Sequence, residues 1–146
     1  MKKIKNTKGF TLMEMLIVVA IIAILIAIAI PTFNSSLNKA KVGTDEANIR
    51  SGYASVMTEV LTSDTAVTDN TTYTLNVDAS VTKAGDTEGT PYVTKGDATK
   101  VVTDKSPKIS IGGVDVDPWS AGQKVTYTVS VKDGETTIKI TTADSK

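Results

Sequence analysis

The stretch that decides the fold is Lys8-Gly9-Phe10-Thr11-Leu12-Met13-Glu14, which is followed by sixteen consecutive apolar residues, 15–30. As a helix, residues 10–33 would be about 36 Å long, enough to cross a hydrocarbon core of roughly 30 Å. Glu14 lies at the edge of this span. Because a carboxylate at the centre of a transmembrane helix costs roughly 2.5–3.5 kcal/mol, its presence predicts a functional role.

The lysines around the apolar span are placed asymmetrically. Four precede it, at positions 2, 3, 5 and 8, and the nearest charges after it are Lys39 and Lys41. The positive-inside rule then predicts a cytoplasmic N-terminus and places most of the chain outside the cytoplasmic membrane. We therefore expect a single-pass membrane protein.

The opening stretch resembles the class III signal sequence of type IV pilins and of type II secretion pseudopilins, over about the first third of the chain. The resemblance implies cleavage after Gly9 by a prepilin peptidase and N-methylation of the new N-terminal residue, Phe10. Glu14 then falls at the fifth mature position, where the family carries a glutamate. Pro31 falls at the twenty-second, where many members carry a proline. Met13 departs from the more usual Val or Ile but is also apolar.

Cleavage after Gly9 would create an α-amino group four residues before Glu14. In a helix, positions i and i+4 share one face, so this cation and the carboxylate would lie at the same membrane depth. They could pair within one chain, but the family implies pairing between neighbours, which would set the axial register of a growing filament. The partners so implied are copies of the chain, the prepilin peptidase, the cytoplasmic membrane and the pilus assembly platform.

Two other interpretations of the apolar span stay open. One is an ordinary secretory signal peptide, since residues 27–29 (Ala-Ile-Ala) match an A-x-A cleavage site. Against it, the apolar region is long, Glu14 interrupts its approach and the helical pattern continues past Pro31. The other is a plain anchor with Glu14 merely near the interface. A lipoprotein is excluded, because the chain has no cysteine to acylate.

The composition argues against an enzyme. The 146 residues include no Cys and no His, so the usual nucleophiles, general bases and transition-metal ligands are missing. For the same reason no disulfide closes the C-terminal region, unlike in many pilins of Gram-negative bacteria. Without residues 1–9 the chain has 12 basic and 16 acidic residues, a net charge of −4, which disfavours nucleic acid as a partner. We expect no catalytic residue, cofactor or metal ion.

The helical pattern resumes beyond Pro31, which predicts a kink within a longer helix rather than the end of the membrane helix. Two stripes follow 3–4 spacing. The first contains Phe33, Leu37, Ala40, Thr44, Ala47, Ser51, Ala54 and Leu61, and the second contains Ile49, Tyr53, Val56, Met57 and Val60. We therefore expect residues 32–48 to project free of the domain and residues 49–61 to pack on a sheet.

The charged residues of this second helical half are interpreted as a solvated face. Lys41 and Asp45 are spaced to form one i,i+4 pair, and Glu46 and Arg50 a second. Such exposed pairs stabilise a helix by only tenths of a kcal/mol.

From residue 62 onward the composition becomes threonine-rich and predicts strands. Candidates are residues 73–77, 92–94, 99–103 and 108–116, the last broken by Gly112-Gly113, while 78–97 is otherwise an irregular connection. Asp133-Gly134 between two alternating runs is a strong hairpin signal. If Lys132 opposes Glu135, then Val129 opposes Ile138 and Tyr127 opposes Ile140, all on one apolar face.

The segment Asp115-Val116-Asp117-Pro118-Trp119 is similar to the Asp-Pro-Trp turn of major pseudopilins, some of which bind calcium. A calcium site needs six to eight oxygen ligands. We therefore favour a tight turn with Trp119 in the core over a metal site at Asp115 and Asp117.

These observations predict an α+β pilin fold, in which a long N-terminal helix, half transmembrane and half amphipathic, packs on an antiparallel sheet. The predicted parts are a leader (1–9), a transmembrane helix (10–31), an amphipathic helix (32–61) and a β-rich domain (62–146). The predicted function is that of a structural subunit of a type IV pilus, displayed at the cell surface after assembly. The alternatives are a pseudopilin of a secretion or DNA-uptake machine, or an anchored surface binding domain that does not assemble.

Overall fold

The computed structural model describes residues 9–63, 67–87 and 89–145. The chain divides into two units, Met1–Ser36 and Leu37–Lys146. Apart from Gly9, the predicted leader lies outside the described residues. The predicted boundaries between leader, transmembrane helix, amphipathic helix and β-rich domain are not tested by this division and stay predictions.

One helix, α1, extends over Leu12–Thr62. It continues through Pro31, so this residue does not end it, and bending there stays a prediction. Proline supplies no N–H to the carbonyl four residues earlier. One position further on, the Thr32 hydroxyl donates to the carbonyl of Ile28 at 3.2 Å. The helix ends where Thr62 folds its hydroxyl back onto the carbonyl of Thr58 at 2.8 Å.

The N-terminal unit has no buried residue among those described, since every residue from 9 to 36 is exposed. Its large apolar side chains expose from 44% of their surface (Met15) to 81% (Phe10). Contiguous exposed apolar surface of this extent marks a site of contact with protein or membrane.

The second unit contains two antiparallel sheets. The strands of the larger sheet follow the order β2-β1-β5-β6, and β3 and β4 form a separate hairpin. The strands are β1 (Thr71–Leu75), β2 (Val81–Lys83), β3 (Ile109–Ile111), β4 (Val114–Val116), β5 (Gln123–Lys132) and β6 (Glu135–Asp144), with a 3₁₀ turn at Ala98–Lys100.

The β5–β6 hairpin has the predicted register. Lys132 lies opposite Glu135, Val129 opposite Ile138, and Tyr127 opposite Ile140. Asp133 and Gly134 both have positive φ, 54° and 81°, as a two-residue type I′ turn requires. Because side chains alternate between the two faces of a strand, this register buries the apolar face and leaves Lys139 exposed.

The second half of α1 packs on the apolar face of the larger sheet. Ile49 and Val56 are fully buried, together with Tyr127 of β5. The Tyr127 hydroxyl donates to the carbonyl of Ile49 at 2.7 Å. Gly52 allows this close approach, because an added Cβ would collide with Tyr127 and Leu75. The predicted α+β fold is confirmed.

Three strand predictions need correction. Residues 99–103 do not form a strand, because a 3₁₀ turn occupies residues 98–100. Val77 lies beyond the end of β1 and is 60% exposed. Strand β2 lies inside the segment that we expected to be irregular, where Thr82 pairs with Thr74 of β1. The predicted break at Gly112-Gly113 is confirmed as the turn between β3 and β4, where both glycines have positive φ.

The expectation that residues 32–48 project free of the domain is wrong for the last part of that range. Val42 and Asp45 are buried within the second unit. The buried positions of α1 are Val42, Asp45, Ile49, Gly52 and Val56. The predicted first stripe, which runs from Phe33 to Leu61, is exposed throughout. Both stripes have helical spacing, but only the set that includes Ile49 meets the sheet.

Candidate functional site

Glu14 lies in the first turn of α1 and contacts Thr11. Its Oε2 accepts hydrogen bonds from the Thr11 backbone N–H at 2.7 Å and from the Thr11 hydroxyl at 2.9 Å. In return, the Glu14 N–H donates to the Thr11 hydroxyl oxygen at 3.3 Å. This is a capping box, in which a Thr before the helix and a Glu three residues later satisfy each other's free backbone donors. Thr11 and Glu14 together therefore fix the start of the helix.

The role of Thr11 was not predicted, although Thr-x-x-Glu ahead of an apolar run is a readable signal for a helix start. Glu14 therefore has two polar partners within the chain, the backbone N–H and the hydroxyl of Thr11. Neither donor carries a charge, so the carboxylate keeps its capacity to bind a cation.

The i,i+4 relation between Phe10 and Glu14 was predicted for the chain cleaved after Gly9 and stays a prediction. The helix begins at Leu12, and Gly9, Phe10 and Thr11 precede it. Phe10 is 81% exposed, and an added Cβ at Gly9 would meet nothing within 4 Å. The bond between residues 9 and 10 is thus exposed with respect to the described residues.

Residues 15–30 follow Glu14 and give the helix an apolar surface on all sides. Within the described part of the chain, α1 is the one helix that is long and apolar enough to cross a membrane. All of its side chains in this stretch are exposed. Pro31 follows directly after this stretch and is also exposed.

A second polar arrangement, centred on Asp45, was not predicted. Asp45 is 0% exposed and accepts hydrogen bonds from four donors. The Tyr92 hydroxyl lies 2.6 Å from Oδ1, and the Trp119 indole N–H lies 3.2 Å from Oδ2. The backbone N–H of Lys95 contacts both oxygens at 3.0 Å, and that of Gly96 contacts Oδ2 at 2.8 Å.

The interpretation of Asp45 as part of a solvated face is therefore wrong. Neither the Lys41–Asp45 nor the Glu46–Arg50 ion pair forms among the described residues, whose ion pairs are Lys100–Asp97 and Lys108–Asp117. The four donors satisfy the carboxylate in the interior, where a charge without partners would be very costly. Asp45 is spaced three residues after Val42 and four before Ile49, so it lies on the same buried face of α1. The prediction that it is solvated followed from its charge alone.

The segment that binds Asp45 also contacts α1 on both sides of it. The Asn38 side chain forms two hydrogen bonds with the backbone of Asp97, at 2.9 and 2.8 Å. The Asn48 amide donates to the Tyr92 hydroxyl at 3.1 Å. Burial, and next the hydrogen bond to Asp45, raise the pKa of Tyr92 to about 12.

Trp119 is fully buried, as predicted. Asp115 and Asp117 are exposed, and Asp117 lies 3.6 Å from the Lys108 ammonium group. In the part of the chain that the structure describes, no three acidic side chains are grouped closely enough to hold a metal ion. Calcium binding at these aspartates is not part of our proposal.

Comparison with known proteins found similarity in the N-terminal segment of the chain. Residues 4–30 match a family model described as the prokaryotic N-terminal methylation motif. The chain is also similar to the type IV narrow pilus major component PilA5 of Thermus thermophilus, with 48% identity over 52 residues, which are 34% of this chain and 45% of that protein. The N-terminal segment of the chain therefore carries the N-terminal methylation motif and is similar to that of a type IV pilin. The family motif covers Gly9, Phe10, Thr11 and Glu14 and ends one residue before Pro31.

The match to this pilin spans less than half of the relative's length. No solved structure matches the chain. The similarity to pilins therefore concerns the N-terminal segment.

Proposed function

We propose that this chain is the structural subunit of a type IV pilus. In this proposal a prepilin peptidase cleaves after Gly9, Phe10 becomes the methylated N-terminus, and copies of the chain polymerise through the apolar part of α1. The observation that carries the proposal is the single carboxylate, Glu14, at the start of an apolar helix within a methylation motif.

Cleavage is supported by the surroundings of the bond. Residues 9–11 precede the helix and are exposed, so a peptidase could bind this segment without unfolding α1. Among the described residues, an added Cβ at Gly9 would meet nothing within 4 Å. The described fold therefore does not require glycine at this position, and in our proposal the peptidase does.

Polymerisation is supported by the exposed apolar surface and by the charge. Apolar side chains are exposed all around residues 15–30, so lipid can cover them before assembly and neighbouring helices can cover them afterwards. The new α-amino group of one subunit would then neutralise Glu14 of another. Hydrogen bonds to charged groups contribute roughly 1.5–3 kcal/mol, and the low dielectric of a helix core strengthens such a pair.

The subunit is accordingly stored in the cytoplasmic membrane with its N-terminus inside and the β domain outside. After assembly the apolar helices form the filament core and the domain lies at its surface. The named relative is a pilus major component, which favours a pilus over a secretion pseudopilus for this chain. A catalytic function is not proposed.

Sheared surface filaments, analysed by mass spectrometry, test the proposal. We expect filaments built from this chain, with Phe10 as the methylated first residue. The matched variant is Gly9→Val, which changes nothing else in the fold and should leave an uncleaved, membrane-held chain. An N-terminus at Ile30 or Pro31 would instead indicate a conventional signal peptide. A cleaved chain that never forms filaments would indicate an anchored surface domain.

A further inference from the structure

The contacts of Asp45 lie at the base of a long excursion of the chain. Between residues 97 and 119 the chain leaves the larger sheet and forms the 3₁₀ turn and the separate β3–β4 hairpin. The two ends of the excursion come together, because the Ala98 N–H donates to the Trp119 carbonyl at 2.8 Å. Next to this closure, the Thr94 hydroxyl donates to the Ser120 carbonyl at 2.7 Å.

Asp45 binds both ends of the excursion with one carboxylate. The segment before the excursion donates hydrogen bonds to this carboxylate from Tyr92, Lys95 and Gly96. The last residue of the excursion, Trp119, donates one as well. In a chain without cysteine, this buried carboxylate joins the helix to the two ends of the loop. A disulfide would have joined only two of these three segments.

Four buried residues of the excursion are part of the hydrophobic core of the domain, and β4 packs against β6. Ala98, Ile111, Val116 and Trp119 are at most 1% exposed. The strands β3 and β4 pair with each other and form no backbone ladder with the larger sheet. A contiguous segment that pairs its own backbone groups can open locally with less free energy than global unfolding requires.

We propose that residues 97–119 are a detachable element of the domain and that the Asp45 carboxylate is the lock that closes it. When the lock is released, the element opens while the four-stranded sheet and its contacts with Ile49 and Val56 persist. Trp119 then moves from the interior to solvent. The inference concerns the second unit alone and does not depend on filament formation.

The variant Asp45→Asn tests the lock with little change in volume. Asparagine presents one acceptor oxygen and one donor group where the native site needs two acceptor oxygens, so it leaves donors of the loop unsatisfied. Hydrogen–deuterium exchange, followed by mass spectrometry on the full chain in detergent micelles, gives the readout. We expect exchange in residues 96–119 to become roughly tenfold to a hundredfold faster, with β5 and β6 unchanged.

Trp119 supplies an independent signal, because it is the only tryptophan of the chain. Its emission should move to longer wavelength in Asp45→Asn, and acrylamide should quench it more efficiently. Tyr92→Phe removes a single donor and should produce the same local pattern with a smaller change, roughly fivefold in exchange rate. The control is Asp104→Asn, an exposed acid within the excursion, which should leave both signals unchanged.

Two results would overturn the proposal. Equal acceleration of exchange in β5, β6 and residues 96–119 would show that Asp45 is an ordinary core residue of one cooperative domain. Unchanged exchange in residues 96–119 would show that the carboxylate does not close the loop. If Asp45→Asn does not accumulate, the distribution of exchange in Tyr92→Phe decides between the same outcomes.

Discussion

The two halves of α1 differ in whether their apolar side chains are buried within the chain. Both carry large apolar side chains, but residues 12–36 are exposed throughout, whereas the half from residue 37 buries a stripe against its own domain. The first half has apolar side chains on every face, and the second has them mainly on one. A helix that is apolar all around needs cover on all sides, and within the described chain nothing provides it. The proposed cover for the first half is lipid before assembly and other copies of the chain afterwards.

The largest effect should come from a matched pair of isoleucines, one in each half. Ile49 is fully buried and Ile24 is 62% exposed. Ile49→Ala should lower the free energy of unfolding of the domain by about 2–5 kcal/mol, because it leaves a cavity. Ile24→Ala should leave it unchanged. Urea unfolding in detergent, followed by Trp119 fluorescence, measures both, and equal losses would contradict the division of α1.

A pair of glycines gives the next largest contrast. A Cβ at Gly96 would lie 2.5 Å from the backbone nitrogen of Val42, whereas a Cβ at Gly43 would meet nothing within 4 Å. Gly96→Ala should therefore destabilise the domain by about 1–3 kcal/mol through overpacking. Gly43→Ala should stabilise the helix by about 1 kcal/mol. The same unfolding experiment checks both signs, and a neutral Gly96→Ala would mean that residues 95–97 are not held against α1.

The smallest effect concerns stability at alkaline pH. Burial, and next the hydrogen bond to Asp45, raise the pKa of Tyr92 to about 12, so ionisation favours the unfolded chain, in which the pKa is near 10. This contribution to stability is complete below about pH 10 and is lost as the pH rises through about 12. We expect the urea midpoint to fall between pH 10 and pH 12. In Tyr92→Phe the fall should be shallower, although Tyr127, whose pKa burial also raises, still contributes.

The β5–β6 hairpin could be predicted because its signals are local and agree with one another. The Asp133-Gly134 turn, the alternation on both sides and the Lys132–Glu135 pair all require one register. The packing of Ile49 and Val56 on that sheet followed from the apolar face it creates. Strand β2 was missed because three residues carry too little pattern to be distinguished from a connection.

Asp45 could not be assigned in the same way. Its side-chain donors, Tyr92 and Trp119, lie 47 and 74 residues away in the sequence, and two further donors are backbone groups that any residue type supplies. The spacing of Asp45 from Val42 and Ile49 indicates a buried position, but nothing local identifies the donors that satisfy its carboxylate. Thr11 is the opposite case, because its partner Glu14 is three residues away and the pattern was available in the sequence.

The central claim is that Glu14 acts between subunits rather than within one. Its role in the helix cap is separable, because Gln at this position preserves a capping box but cannot form a charge pair. Thr11→Val gives the complementary change, since it removes the hydroxyl of the cap and keeps the carboxylate. If assembly needs the charge, Glu14→Gln should resemble Glu14→Ala, and Thr11→Val should remain closer to the unaltered chain.

The most direct measurement is the ratio of sheared surface filaments to membrane-held subunit in Glu14→Ala. We expect this ratio to fall roughly tenfold or more, as the loss of a charged hydrogen-bonded pair implies. Membrane insertion should be intact or improved, because a charge is removed from the apolar span. The control is Asp104→Ala, an exposed acid of the domain, which should leave the ratio unchanged. An unaltered filament yield from Glu14→Ala would contradict the account and would identify Glu14 as an interfacial residue of a plain membrane anchor.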